Sequence, residues 1–91
     1  MRLILYSKPG CHLCEGLQEK LQQIQTLKID LEVRDITTSE DWFQKYEYEI
    51  PVLSLVETSG TSEEASEVRL PRLSPRCTVA QLEKMLQKYK R

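Results

Sequence analysis

The first thirty-five residues hold three periodicities in a fixed order, and that order constrains the fold more than any other feature of the chain. Leu3-Ile4-Leu5-Tyr6 is a short apolar run, closed by the breaker pair Pro9-Gly10, and reads as a buried strand over residues 2 to 6. From His12 to about Thr26, Leu13, Leu17, Leu21, Ile24 and Leu27 recur at intervals of three and four. Glu15, Gln18, Glu19, Lys20, Gln22 and Gln23 fill the opposite side, which is the pattern of an amphipathic helix. Gly16 within it weakens the helix slightly or lets another backbone come close. Ile29, Leu31 and Val33 then alternate with Asp30, Glu32 and Arg34, giving a second strand to Asp35 with one buried face. A strand, a helix and a strand in succession imply two parallel strands joined by a right-handed crossover.

The remainder extends that sheet. Ser39 is placed to cap a short helix whose first turn carries Glu40 and Asp41, where the helix dipole favours acids, and Trp42, Phe43 and Tyr46 form its apolar stripe. Ile50 to Val56 reads as a third strand, Glu57 to Glu64 as a polar loop, and Ala65 to Leu70 as a fourth strand pairing back as an antiparallel hairpin. Thr78 to Tyr89 presents Val79, Leu82, Met85, Leu86 and Tyr89 on one helical face. Thr78 and Gln81 have the spacing of a capping box, with Ser74-Pro75 as a rival start. The expected order is βαβαββα, an α/β fold with a four-stranded mixed sheet and three helices, in one domain spanning 1–91.

Composition limits the functional classes. With 91 residues, 40% hydrophobic and 30% charged, the chain is an ordinary globular one. Thirteen basic and fourteen acidic residues leave a formal charge of −1, without the clustered basic excess that a nucleic-acid or membrane partner would need, so neither is expected. The N-terminal apolar run is too short for a signal peptide, which points to the cytoplasm. Three cysteines, two of them at Cys11 and Cys14, suit catalytic or metal chemistry in a reducing compartment better than a stapled secreted scaffold.

The position of that pair carries the chemistry. Disulfide exchange requires a thiolate, and a helix entrance stabilises one, because first-turn amides have no intrahelical partner and sit at the positive end of the dipole. Cys11 stands at the expected entrance, with Lys8 and His12 near enough to add positive potential; comparable settings bring a thiol below its usual value of ~8.5. Cys14 lies one turn further in on the same face, able to reach the first sulfur but better shielded. Cys11 is thus the candidate nucleophile and Cys14 the candidate resolving thiol.

The stretch Tyr6-Ser7-Lys8-Pro9-Gly10-Cys11-His12-Leu13-Cys14, followed by Ile50-Pro51-Val52-Leu53 opening the third strand, resembles the thioredoxin superfamily and within it the small glutaredoxin-like proteins. The resemblance covers essentially the whole chain. It implies a thiol-disulfide oxidoreductase with no bound prosthetic group, acting as a monomer on disulfide-containing proteins or small thiols and recharged by glutathione or thioredoxin reductase. X-Pro bonds are cis only about 5–6% of the time, so the residues alone give a trans Ile50-Pro51. The resemblance implies cis, with Pro51 beside the cysteines and the backbone of Ile50 pairing with an extended substrate. Lys8, His12, Ile50 and Pro51 are therefore the candidate substrate-binding residues.

Two departures from the family pattern matter. His12 and Leu13 stand where proline and an aromatic residue are usual. Leu70-Pro71-Arg72-Leu73-Ser74-Pro75-Arg76-Cys77-Thr78 replaces the glycine pair and acid that hold the glutamyl end of glutathione, which weighs against glutathione as the direct reductant. Lys8, the Ile50 backbone and a helix start near Ser74 to Thr78 remain of that site, with Arg72 and Arg76 able to compensate.

The alternative is a binding module of the same fold without turnover, presenting the pair to zinc, an iron-sulfur cluster or a partner protein. Zinc needs four ligands, and His12 points about 100° away from Cys11 on a helix. Cys77 reads either as a third redox thiol or as a small buried residue, and Asp35 as a plain surface carboxylate.

Overall fold

A computed structural model describes residues 1–58 and 65–89. The elements run β1 (Arg2–Ser7), α1 (His12–Gln23), β2 (Asp30–Asp35), a 3-10 turn (Ile36–Thr38), α2 (Glu40–Tyr46), β3 (Val52–Thr58), β4 (Ala65–Arg69) and α3 (Val79–Gln87). The strands form one mixed sheet in the order β2-β1-β3-β4. β1 pairs parallel with β2, Leu3 opposite Leu31, and antiparallel with β3, Leu5 opposite Leu53; β3 and β4 are antiparallel, Leu55 opposite Val68. The βαβαββα order expected from the sequence is the observed one.

Alternation along β1 divides the interior in two. Leu3 and Leu5 face the layer built by α1 and α3, where Leu21, Leu53, Leu55, Leu82 and Leu86 join them. Ile4 and Tyr6 face the other way, toward Ile36, Tyr46 and Val52, with Trp42 and Phe43 of α2 covering them. β1 is therefore an interior strand, buried on both faces, which explains its unbroken apolar run. Fully burying each of these large side chains contributes about 1.5–3 kcal/mol, more than any exposed ion pair.

Element ends differ from the expected ones for local reasons. α1 stops at Gln23, short of Thr26; Ile24 is extended (ψ 120°) and its N–H bonds the Leu21 carbonyl. Ile24 and Leu27 reach the core from the connecting segment rather than from the helix. Val33, expected on a buried face, is 43% exposed, on a strand that lies at the edge of the sheet. β3 starts two residues later than expected and includes Glu57 and Thr58, assigned above to the loop; the rest of that loop, 59–64, lies outside the described residues. α3 is capped by Thr78, whose hydroxyl accepts from the Gln81 N–H at 3.1 Å while the Gln81 side chain accepts from the Thr78 N–H at 2.9 Å. Ser74-Pro75 instead forms a turn, the Cys77 N–H bonding the Ser74 carbonyl at 2.9 Å.

Candidate active site

The site forms where β1 hands over to α1. Lys8-Pro9-Gly10-Cys11 is a tight turn: the Cys11 N–H donates to the Lys8 carbonyl at 3.1 Å, and Gly10 takes φ +82°. Proline followed by a residue of positive φ is the type II arrangement, and it delivers Cys11 to the helix in extended geometry. Cys11 is the N-cap of α1. Its carbonyl accepts from the Glu15 N–H at 3.1 Å and its sulfur accepts from the Cys14 N–H at 3.2 Å. A cap of this kind satisfies one of the otherwise orphaned amides of the first turn.

Cys11 and Cys14 are joined as a disulfide, with Cα atoms 5.3 Å apart. Cys11 is half-buried, whereas Cys14 is only 3% exposed. Solvent therefore reaches the first sulfur more readily than the second.

The four other candidate residues fall in different places. Pro51 lines a groove of about 250 Å³ together with His12 and Leu13, the residues between the two cysteines, and the Ile50-Pro51 bond is cis. The His12 ring is 94% exposed and its Nδ1 lies 3.6 Å from the Glu15 carboxylate. Lys8 contributes its carbonyl to the turn, and its exposed side chain is not part of the groove. Ile50 already gives its N–H to the Tyr46 carbonyl at 3.1 Å, so any strand-like pairing at this residue uses its carbonyl alone.

Local reading offered Arg72 to a ligand and Cys77 as a redox thiol, but gave Leu17, Lys20 and Leu73 no part in the groove. Leu17, Lys20, Arg72, Leu73 and Cys77 line it, brought together from α1 and the segment between β4 and α3. Lys20 looked like one more polar residue of the outer helix face, yet its ammonium bonds the Pro75 carbonyl at 2.8 Å. Leu13, which its spacing put in the apolar stripe of α1, is instead 48% exposed beside the cysteines. Gly16 also borders the groove; a Cβ there would meet nothing within 4 Å, so it leaves the groove open rather than admitting a close backbone. Cys77 is a buried free thiol.

A second polar cluster occupies the opposite face of the sheet. The Tyr6 hydroxyl donates to Glu67 at 2.8 Å and accepts from Arg34 at 3.1 Å; Arg34 also pairs with Glu67 and Glu32 and lies over the Trp42 ring, 5.1 Å from its centroid. Burial and the Glu67 carboxylate push the Tyr6 phenol up to about 12. Asp35, read as a plain surface acid, caps the 3-10 turn by accepting from the Thr37 N–H at 2.9 Å. Among the described residues no group of three or more His, Cys, Asp and Glu side chains is placed to hold a metal ion, and no helix is long and apolar enough to cross a membrane.

Comparison with known proteins bears on this geometry. The family described as Glutaredoxin-like domain (DUF836) matches residues 2–87. Among solved structures, thioredoxin 1 from the thermophilic eubacterium Thermosipho africanus TCF52B is similar, at 19% identity and a TM-score of 0.62, the match covering 98% of this chain and 93% of that one. At that identity the likeness concerns the fold, which is the thioredoxin fold. No curated protein matches.

Proposed function

Since the chain belongs to the Glutaredoxin-like domain family, with a cysteine pair at a helix start that supports a redox or thiol-binding role, we propose that it is a thiol-disulfide oxidoreductase. The observation that carries this reading is the asymmetry of the pair: Cys11 caps α1 with its sulfur on a backbone N–H, and Cys14 is buried behind it.

The reduced protein enters the reaction with Cys11 as thiolate, favoured by the first-turn amides and the helix dipole. The Cys11 sulfur attacks one sulfur of a substrate disulfide, forming a mixed disulfide and expelling the other half as a thiolate. Cys14 then loses its proton and attacks the Cys11 sulfur. The intramolecular disulfide forms and the second substrate half leaves as a thiolate. Two electrons pass from the protein dithiol to the substrate, and each released thiolate takes up a proton according to its own acidity. An external thiol or dithiol returns the protein to its reduced form. Reductase-supplied electrons fit the Leu70 to Thr78 stretch better than direct reduction by glutathione, because that stretch lacks the family's glutamyl-binding glycines and acid. Cysteine usage suits a reducing compartment, so we place the protein in the cytoplasm, and as the family resemblance implies we take it to act as a monomer without a bound cofactor.

Single serine replacements test the reading. Cys14→Ser should accumulate mixed disulfides with substrate, while Cys11→Ser should neither trap nor turn over substrate. Identical behaviour of the two variants would instead favour a binding module.

A further inference from the structure

The groove beside the cysteines has a chemical character of its own. It is mainly apolar, and Leu13 stands at its margin half-exposed. Among the described residues no Asp or Glu lines it, but three cations do: Lys20, Arg69 and Arg72. Arg69 is matched by the Glu49 carboxylate at 3.4 Å. The other two have no carboxylate among the described residues. Arg72 donates to the Glu49 carbonyl at 3.4 Å; Lys20 donates to the Pro75 carbonyl at 2.8 Å and lies 4.0 Å from the Cys77 sulfur.

A ligand complementary to this groove carries an aliphatic side chain and an adjacent carboxylate. Glutathione disulfide has carboxylates but no aliphatic side chain, and each half brings an ammonium group that no acid among the described residues of the groove receives. A polypeptide with an aliphatic and an acidic residue beside its cysteine supplies both features. We infer that the groove selects protein disulfides of this kind, the aliphatic side chain packing by Leu13 and Leu73 and the carboxylate received by Arg72 and Lys20. The inference rests on the oxidoreductase reading and specifies its substrate class.

The test uses disulfide-linked dimers of short peptides, identical except that the cysteine is followed by leucine and glutamate, leucine and lysine, or two glycines. Glutathione disulfide and the neutral hydroxyethyl disulfide serve as references. With prereduced protein at low salt, the leucine-glutamate dimer should be reduced about fivefold faster than the leucine-lysine dimer, the size of one partly exposed charge pair, and salt should shrink the difference. It should also outpace the glycine dimer and glutathione disulfide. In Arg72→Glu, an exposed position, the order of the two charged peptides should reverse. Equal rates for the charged peptides, an unchanged order in Arg72→Glu, or faster reduction of glutathione disulfide would overturn the inference while leaving the oxidoreductase reading intact. If nothing is reduced, hydroxyethyl disulfide included, that reading fails. Calorimetric binding of serine-for-cysteine peptides then decides the groove by itself: tighter binding of the glutamate peptide supports selection, and equal binding refutes it.

Discussion

The sulfur of Cys11 accepts the backbone N–H of Cys14 at 3.2 Å, so in the proposed mechanism the residue that would resolve the mixed disulfide also supplies the amide that holds the attacking sulfur. The two roles are coupled through one turn of helix. Neither survives a displacement of Cys11 from its N-cap position, and the turn before it becomes as important as the cysteines themselves.

That turn depends on Gly10. At φ +82°, with open space around the missing Cβ, the position demands only backbone freedom. Gly10→Ala should cost about 1–2 kcal/mol, the usual penalty for an L-residue in this region. Urea denaturation would measure the loss, and alkylation of Cys11 should slow in the same variant. An unchanged stability would mean that the turn does not require positive φ.

Much of this site was legible because its signals are local. Pro9-Gly10, the leucine stripe of α1 and the spacing of Cys11 and Cys14 all lie within one stretch of chain, and each reports a short-range backbone preference. The end of α1 was not legible, since no glycine or proline marks Ile24; the helix stops because the chain must turn toward β2. Val33 alternates correctly with its neighbours, yet periodicity cannot say that β2 lies at the sheet edge. The groove takes Lys20 from α1 and Arg72 from the segment between β4 and α3 into one lining, which no local pattern encodes. The cis Ile50-Pro51 bond came from family resemblance and ran against the intrinsic preference of the peptide bond.

Tyr6 should leave a signature in alkaline solution. Its phenol ionises near 10 in the unfolded chain and is pushed up to about 12 in the folded one, first by burial and then by Glu67. The folded state therefore holds the proton longer. The stabilisation is complete below pH 10 and is lost as pH rises from 10 toward 12. Tyr6→Phe also removes the hydroxyl shared by Glu67 and Arg34, which should cost about 1 kcal/mol at pH 7. Denaturation midpoints at pH 9 and pH 11 should fall further for the parent protein than for Tyr6→Phe. Parallel changes would show that Tyr6 does not titrate differently in the two states.

Thr78 fixes the start of α3, and with it the end of the groove-lining segment. Thr78→Ala removes the acceptor of the Gln81 N–H and half of the capping box. The expected loss is about 1 kcal/mol, equivalent to a fall in Tm of about 4–8 °C for a domain of this size. Thr78→Ser, which keeps the hydroxyl, should recover most of it. A serine variant as unstable as the alanine one would assign the effect to the methyl group instead.

The account stands on Cys11 being the acidic, accessible thiol at the head of α1. The direct measurement is the pH dependence of iodoacetamide alkylation of Cys11 in reduced protein carrying Cys14→Ser and Cys77→Ser. The predicted result is a reactivity midpoint well below that of a cysteine in an unstructured peptide, shifting back toward it when the chain is unfolded in urea. A midpoint equal to the unfolded one would contradict the account.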